Sequence, residues 1–161
     1  MSVDPLLELL RGGGRRSYGE LAEQLSVSEE AVREKIEEWE KDGTIRGYQA
    51  VVDQESAREG GVSAFIEVKL APERGGGFDR LGRRIANFEQ VSSCYLFSGG
   101  YDLMVVVDGG DLMEVARFVS EKLSTLDGVL STATHFRLKT YKESGFLFGE
   151  AVETVRLPVS P

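Results

Sequence analysis

The stretch that most constrains this chain is Ser92–Asp108, SSCYLFSGGYDLMVVVD. Two runs of alternating apolar residues flank Ser98-Gly99-Gly100, and glycine accepts the positive φ that a tight hairpin turn requires. The pattern predicts an antiparallel strand pair. On it Val91, Ser93, Tyr95 and Phe97 point one way, and Tyr101, Leu103, Val105 and Val107 do the same on the return. A lone hairpin is marginal in water, so further strands or helices must cover it. Asp102 lies just inside the second strand, where a carboxylate costs free energy unless something pairs with it. Two readings stay open: a cap for backbone amides at the turn, or, with the bare glycine backbone, the lip of a ligand site.

The flanking segments supply the cover. Val62, Ala64, Ile66, Val68 and Leu70 alternate as a strand, and Pro72–Gly77 reads as a loop. Phe78, Leu81, Ile85 and Phe88 then have helical spacing. After the hairpin, Leu112, Val115, Ala116, Val119, Leu123 and Leu126 mark a second amphipathic helix, ended by Gly128. Val129–Tyr141 reads as a last strand. Leu130, Thr132, Thr134, Phe136 and Leu138 share one face of it, and Ser131, Ala133, His135, Arg137 and Lys139 share the other. The order β-α-β-β-α-β over residues 62–142 predicts an α+β, ferredoxin-like domain. Two helices cover one face of such a sheet, and the apolar content of the other predicts burial against a second subunit. Residues 143–161 form a tail whose Phe146, Leu147, Phe148 and closing LPVSP predict packing on a neighbour.

Residues 1–53 follow another pattern. Leu6, Leu7, Leu9 and Leu10 predict a short helix ended by Gly12-Gly13-Gly14. Ser17 and Glu20 make a capping box for a second helix, Tyr18–Leu25. Ser26-Val27-Ser28 is a three-residue turn, and Ser28 is a good N-cap for a third helix running to Asp42. Val32, Ile36 and Trp39 are its buried stripe, and Gly43 closes it. Thr44–Val52 then reads as a strand or short wing, and residues 54–61 as a polar linker. Helix, turn, helix and wing predict a winged helix-turn-helix, whose second helix would enter the DNA major groove.

Charge works against that motif. Residues 1–60 hold eight bases and fourteen acids, and Glu34, Glu37 and Glu38 lie opposite the Val32–Ile36 stripe. Acids facing a groove repel phosphates, which normally supply most of the affinity. The candidate DNA contacts are Arg15, Arg16, Ser28, Arg33, Lys35 and Arg46, and binding is expected to be weak and steeply salt dependent.

Several function classes are disfavoured. The net charge is −8. No apolar run approaches the roughly 18 residues of a membrane span. The N-terminus lacks the basic start and apolar length of a signal peptide. Cys94 is the only cysteine and His135 the only histidine. Disulfides within the chain, cysteine-based metal sites and paired-histidine chemistry are therefore excluded. No carboxylate pair or nucleophile–base motif stands out, so no enzyme activity, cofactor or metal is expected. A cytoplasmic location fits the cysteine usage.

Over about residues 5–142 the chain resembles the leucine-responsive/asparagine-synthesis regulator (Lrp/AsnC) family. The likeness rests on ELAEQLSVSEEAVREKIEEWEKDGTIRGYQAVVD at one end, and on VSSCYLFSGGYDLMVVV and EKLSTLDGVLSTATHF at the other. It implies a one-component transcription regulator, its winged helix on double-stranded DNA. The ferredoxin-like domain would dimerise, build octamers or similar rings, and sense a small amino acid. The implied effector site is the glycine–aspartate turn (Gly99, Gly100, Tyr101 and Asp102) together with Thr132 and Thr134. His135 and Phe136 match positions linked to effector response. Glu37 and Glu38 depart from the family, which usually carries Arg or Lys there. Two other readings stay open: a ligand-binding assembly module with a vestigial winged helix, and an enzyme like the siroheme decarboxylases, which resemble this two-part architecture.

Overall fold

The computed structural model describes residues 4–57, 60–72 and 77–149. They divide into two compact units, the first running to Val52 and taking in the segment from Lys142, the second Asp53–Tyr141.

In the first unit, local capping sets the helix limits. Asp4 caps α1 (Pro5–Gly12) by accepting the Leu6 amide, and Pro5 occupies the first turn, where no amide is needed. Both hydrogen bonds of the Ser17–Glu20 capping box are made at α2 (Tyr18–Leu25). The Ser17 amide and the Ser17 hydroxyl both donate to Glu20 Oε2, at 2.7 and 2.9 Å, and hold that carboxyl below its ordinary pKa. Ser28 Oγ accepts the Ala31 amide at the start of α3 (Glu29–Asp42), and Gly43 ends that helix at φ +79°. Leu6, Leu21, Ala22, Val32, Ile36 and Trp39 are buried together.

Of the two readings of Thr44–Val52, strand or short wing, the strand is not formed; the segment has no ladder partner among the described residues. Two anchors hold it instead. The Ile45 amide donates to the Trp39 carbonyl at 2.9 Å, and Tyr48 Oη donates to Glu40 Oε1 at 2.9 Å. Loss of water around the Tyr48 phenol, with the nearby Glu40 carboxylate, pushes its pKa up to about 12. The tail begins with a small hairpin in which β5 (Lys142–Glu143) pairs with β6 (Phe146–Leu147). Ser144 and Gly145 both have positive φ, the requirement of a type I′ turn. The rest of the expected tail, residues 150–161, lies outside the described residues.

In the second unit a single helical turn, α4 (Gln54–Ala57), lies in the segment read as linker; residues 58–59 lie outside the described ones. Four antiparallel strands follow: β1 (Val62–Leu70), β2 (Val91–Leu96), β3 (Leu103–Gly109) and β4 (Val129–Phe136), in the sheet order β2-β3-β1-β4. Two helices, α5 (Gly77–Ala86) and α6 (Leu112–Phe118, continued by a π-helical turn, Val119–Leu123), cover one face. This is the ferredoxin-like arrangement. Residues 73–76 of the expected Pro72–Gly77 loop lie outside the described ones, and Gly77 already opens α5.

Two bulges correct the expected facing of side chains. Ser92 is an extra residue in β2, so Val91 and Cys94 pair with Val107 and Val105 on the helix side. Ser93 and Tyr95 pair with Val106 and Met104 on the uncovered side. Opposite the Lys69/Leu70 step, Leu130 is extra in β4. Val129 therefore packs on the core, while Leu130 is exposed. One inserted residue reverses strand parity, which is why alternation alone misread both strands. β4 ends at Phe136, not Tyr141, and Leu138 beyond it is almost fully exposed. Leu112, read as part of the buried face, is also exposed, at the first turn of α6.

Ser63, the one buried polar residue among those described, ties β1 to its surroundings. Its hydroxyl donates to the Asp108 carboxylate and accepts from Arg137 Nη2 at 2.7 Å. The same Arg137 nitrogen donates to Gln54 Oε1 at 3.0 Å, fastening α4 beside the sheet.

Candidate functional site

Backbone pairing defines the hairpin tip. The Phe97 amide donates to the Asp102 carbonyl at 2.8 Å, carrying the ladder one step past Leu96–Leu103, so Phe97 and Asp102 face each other. The Asp102 amide donates to the Val68 carbonyl at 3.0 Å, and Asp102 Oδ2 accepts the Leu70 amide at 2.7 Å. The carboxylate thus finishes the β1–β3 ladder where the Leu130 bulge breaks the β1–β4 register. Capping therefore accounts for one carboxylate oxygen, with its donor on β1, not in the turn.

The glycines behave differently. A side chain added at Gly99 or Gly100 would meet none of the described residues within 4 Å. Gly99, at φ +141°, needs to be glycine for its backbone, but no described residue crowds Gly100. Three rings surround the tip. Tyr95 and Phe97 stand edge to face with centroids 6.3 Å apart, and Phe97 and Tyr101 are 5.7 Å apart at 45°.

The other candidate effector residues lie elsewhere on the sheet. Thr132 is opposite Val68 and Thr134 opposite Ile66, both half-buried on the helix-covered face. Thr132 Oγ1 is 3.3 Å from Ser124 Oγ. β1 separates β4 from β3, so Thr132 and the Asp102 lip stand two strand spacings apart, about 10 Å. Phe136 packs at the margin of the core. His135 projects from the opposite face, its Nε2 3.4 Å from Glu67 Oε1. One protomer thus brings Gly99, Gly100, Tyr101 and Asp102 together, but not the threonines or His135. Sequence reasoning missed the Leu70 amide and Ser124, which carry no local signal. It also read Tyr95 and Phe97 only as strand residues.

In the helical unit, most candidate DNA contacts have partners close by. Ser28 is occupied as an N-cap, and Arg16 Nη1 reaches the Leu9 carbonyl at 3.4 Å. Arg33 lies 4.0 Å from Glu29. Lys35 pairs with Glu38 at 2.7 Å, which raises the lysine pKa, and its ammonium lies 5.3 Å from the Trp39 ring centre. The Arg46 guanidinium folds over Gly43, so closely that an added side chain there would meet it at 2.8 Å. Arg15 is exposed. The two ion pairs are on the surface and are worth little, so a phosphate can displace either carboxylate.

Among the described residues no group of three or more side chains could hold a metal, and no helix is long and apolar enough to cross a membrane. Residues 63–147 match the Lrp/AsnC ligand binding domain. YugG, an uncharacterized HTH-type transcriptional regulator of Bacillus subtilis, is 43% identical over 157 residues, 97% of this chain and 95% of its own. The leucine-responsive regulatory protein of Haemophilus influenzae is 25% identical over 142 residues, covering 88% of this chain and 86% of its own. The crystal structure of a Neisseria meningitidis transcriptional regulator in complex with L-Met matches with a TM-score of 0.67 at 24% identity. That match covers 88% of this chain and 94% of the other, and at such identity the likeness is one of fold.

Proposed function

This chain belongs to the Lrp/AsnC family of transcription regulators, and on that premise we propose that it binds a free α-amino acid at the Gly99–Asp102 lip. The family is one of regulators, not enzymes, and double-stranded DNA is the partner of the helix-turn-helix. The observation that carries the effector reading is a carboxylate fixed through one oxygen beside bare backbone that no described residue crowds. Asp102 suits an ammonium, and the open glycine amides suit a carboxylate, so one short lip accommodates a zwitterion. The relative solved with L-Met adds support, since an amino acid is what that protein holds.

Thr132 and Thr134 are too far from this lip to reach the same small molecule from one protomer. We propose that a second copy supplies them, with the effector seated between subunits. The uncovered sheet face, with Phe65, Met104 and Val106 half-buried, is the surface for a homodimer that assembles further.

A thermal-shift screen of the twenty amino acids tests the lip. Asp102→Asn keeps an acceptor for the Leu70 amide but removes the charge, whereas alanine would remove both. The asparagine variant should melt near the wild type without ligand and lose the effector-induced shift. The lost charged hydrogen bond is worth roughly 1.5–3 kcal/mol. Undiminished binding by that variant, or no shift of the wild type by any amino acid, would remove the lip as the effector site.

A further inference from the structure

We infer that the effector is an aromatic α-amino acid whose ring seats on the Tyr95–Phe97–Tyr101 cluster; this rests on the lip reading above. The Ser92 bulge is the first reason. It turns Tyr95 away from the α5–α6 layer, and Phe97, two residues on, follows it. Tyr95 remains 53% exposed and Phe97 46%. The rings are ordered by one another nonetheless, at centroid separations typical of aromatic pairs. The result is a preformed aromatic platform that a single protomer leaves uncovered, at the hairpin end of the face proposed for the homodimer.

Position is the second reason. Phe97 faces Asp102 across the hairpin, and facing side chains start about 5 Å apart. An α-ammonium on Asp102 leaves the ligand side chain one bond from the same α-carbon, within reach of Phe97 and Tyr101. Charge is the third. Asp102 is the only charged residue between Ser92 and Val107. Once it holds the α-ammonium, no second charge in the hairpin awaits a charged side chain, and on neighbouring β1 Glu67 and Lys69 carry opposite charges on the same face. A neutral side chain remains. Between neutral side chains, a ring gains edge-to-face attraction that an aliphatic chain of similar area lacks.

Calorimetric titration of the full-length protein with L-Phe, L-Tyr and L-Trp, against L-Leu, L-Met and L-Lys, tests the inference. At least one aromatic should bind about tenfold tighter than the best of the other three. Phe97→Leu keeps apolar bulk but removes the ring, and should bring aromatic and aliphatic ligands to parity. L-Leu, L-Met or L-Lys binding as tightly as the aromatics would overturn it. So would an unchanged preference in Phe97→Leu, or loss of assembly in that variant with the preference intact, which would assign the rings to a contact between copies. The two readings fail separately. If Asp102→Asn abolishes binding of an aliphatic effector, the lip stands and only the aromatic assignment falls. If no amino acid binds the wild type, both fall.

Discussion

In the helical unit each buried side chain is reached by counting along a helix: Val32, Ile36 and Trp39 are four and three residues apart. In the sheet unit, counting by two fails at both outer strands, because Ser92 and Leu130 are inserted residues that exchange the two faces. A helix surface turns by about 100° per residue, so an error of one residue moves a contact only part of the way round the helix. A strand surface turns by half a revolution, so the same error moves a side chain to the far side of the sheet. The two units also use charge differently. The helical unit pairs Arg33 and Lys35 with acids on the same helix surface. The sheet unit places its main polar groups, Asp102 and the Ser63–Asp108–Arg137 cluster, where strands end or meet.

Core truncations test whether the units stand on separate cores. Ile66→Ala, at a fully buried centre of the sheet, and Leu21→Ala, equally buried in the helical unit, should each cost about 2–5 kcal/mol. Trp39 is the only tryptophan, so its fluorescence follows the helical unit alone. Leu21→Ala should lower the midpoint of that signal in urea, and Ile66→Ala chiefly the β-sheet signal in circular dichroism. Equal shifts in both signals for both variants would mean that the units unfold as one.

Arg137→Ala probes the cluster that fastens α4 to the sheet. It leaves the Ser63 hydroxyl and the Gln54 side-chain carbonyl without their guanidinium donor. The guanidinium is half-exposed, so the loss should be near the low end for charged hydrogen bonds, about 1.5 kcal/mol. Arg137→Lys should recover only part of it, because lysine lacks the planar fork. Chemical denaturation curves of the two variants measure both effects.

Surface charge on α3 should matter less for stability than for DNA. Glu37→Lys removes a repulsion and adds an attraction, and should tighten DNA binding by about 1 kcal/mol at low salt. Glu38→Gln releases Lys35 and should act in the same direction, more weakly. Fluorescence anisotropy on the DNA upstream of its own coding sequence, repeated with added salt, reads both. A benefit that persists undiminished at high salt would exclude screened phosphate attraction as its source.

The smallest effect belongs to Tyr48. Its phenol titrates near 12 in the folded chain and near 10 when unfolded. Above pH of about 10 the unfolded state loses this proton first, so stability falls as pH rises from about 10 to 12 and is unaffected below that window. Tyr48 as a residue is 54% exposed, so solvent screening keeps the change small. Tyr48→Phe should abolish this alkaline component in pH-dependent melting, at a neutral-pH cost of under about 1 kcal/mol.

The sequence by itself determined the helical unit almost residue by residue, because caps, stripes and stop signals all act within one or two turns. Ser17 with Glu20, Ser28 and Gly43 stand at the helix ends where their chemistry requires them. It also determined the order of strands and helices, and therefore the ferredoxin-like class. Tertiary structure alone decided three matters. The segment Thr44–Val52 is not a strand, since a strand exists only by pairing and its unit offers no partner among the described residues. Tyr95 looks away from the helices, since an unpaired Ser92 is a property of two strands together. Asp102 finishes the β1–β3 ladder, because its partner, the Leu70 amide, lies 32 residues away in the chain and is brought alongside only by the sheet.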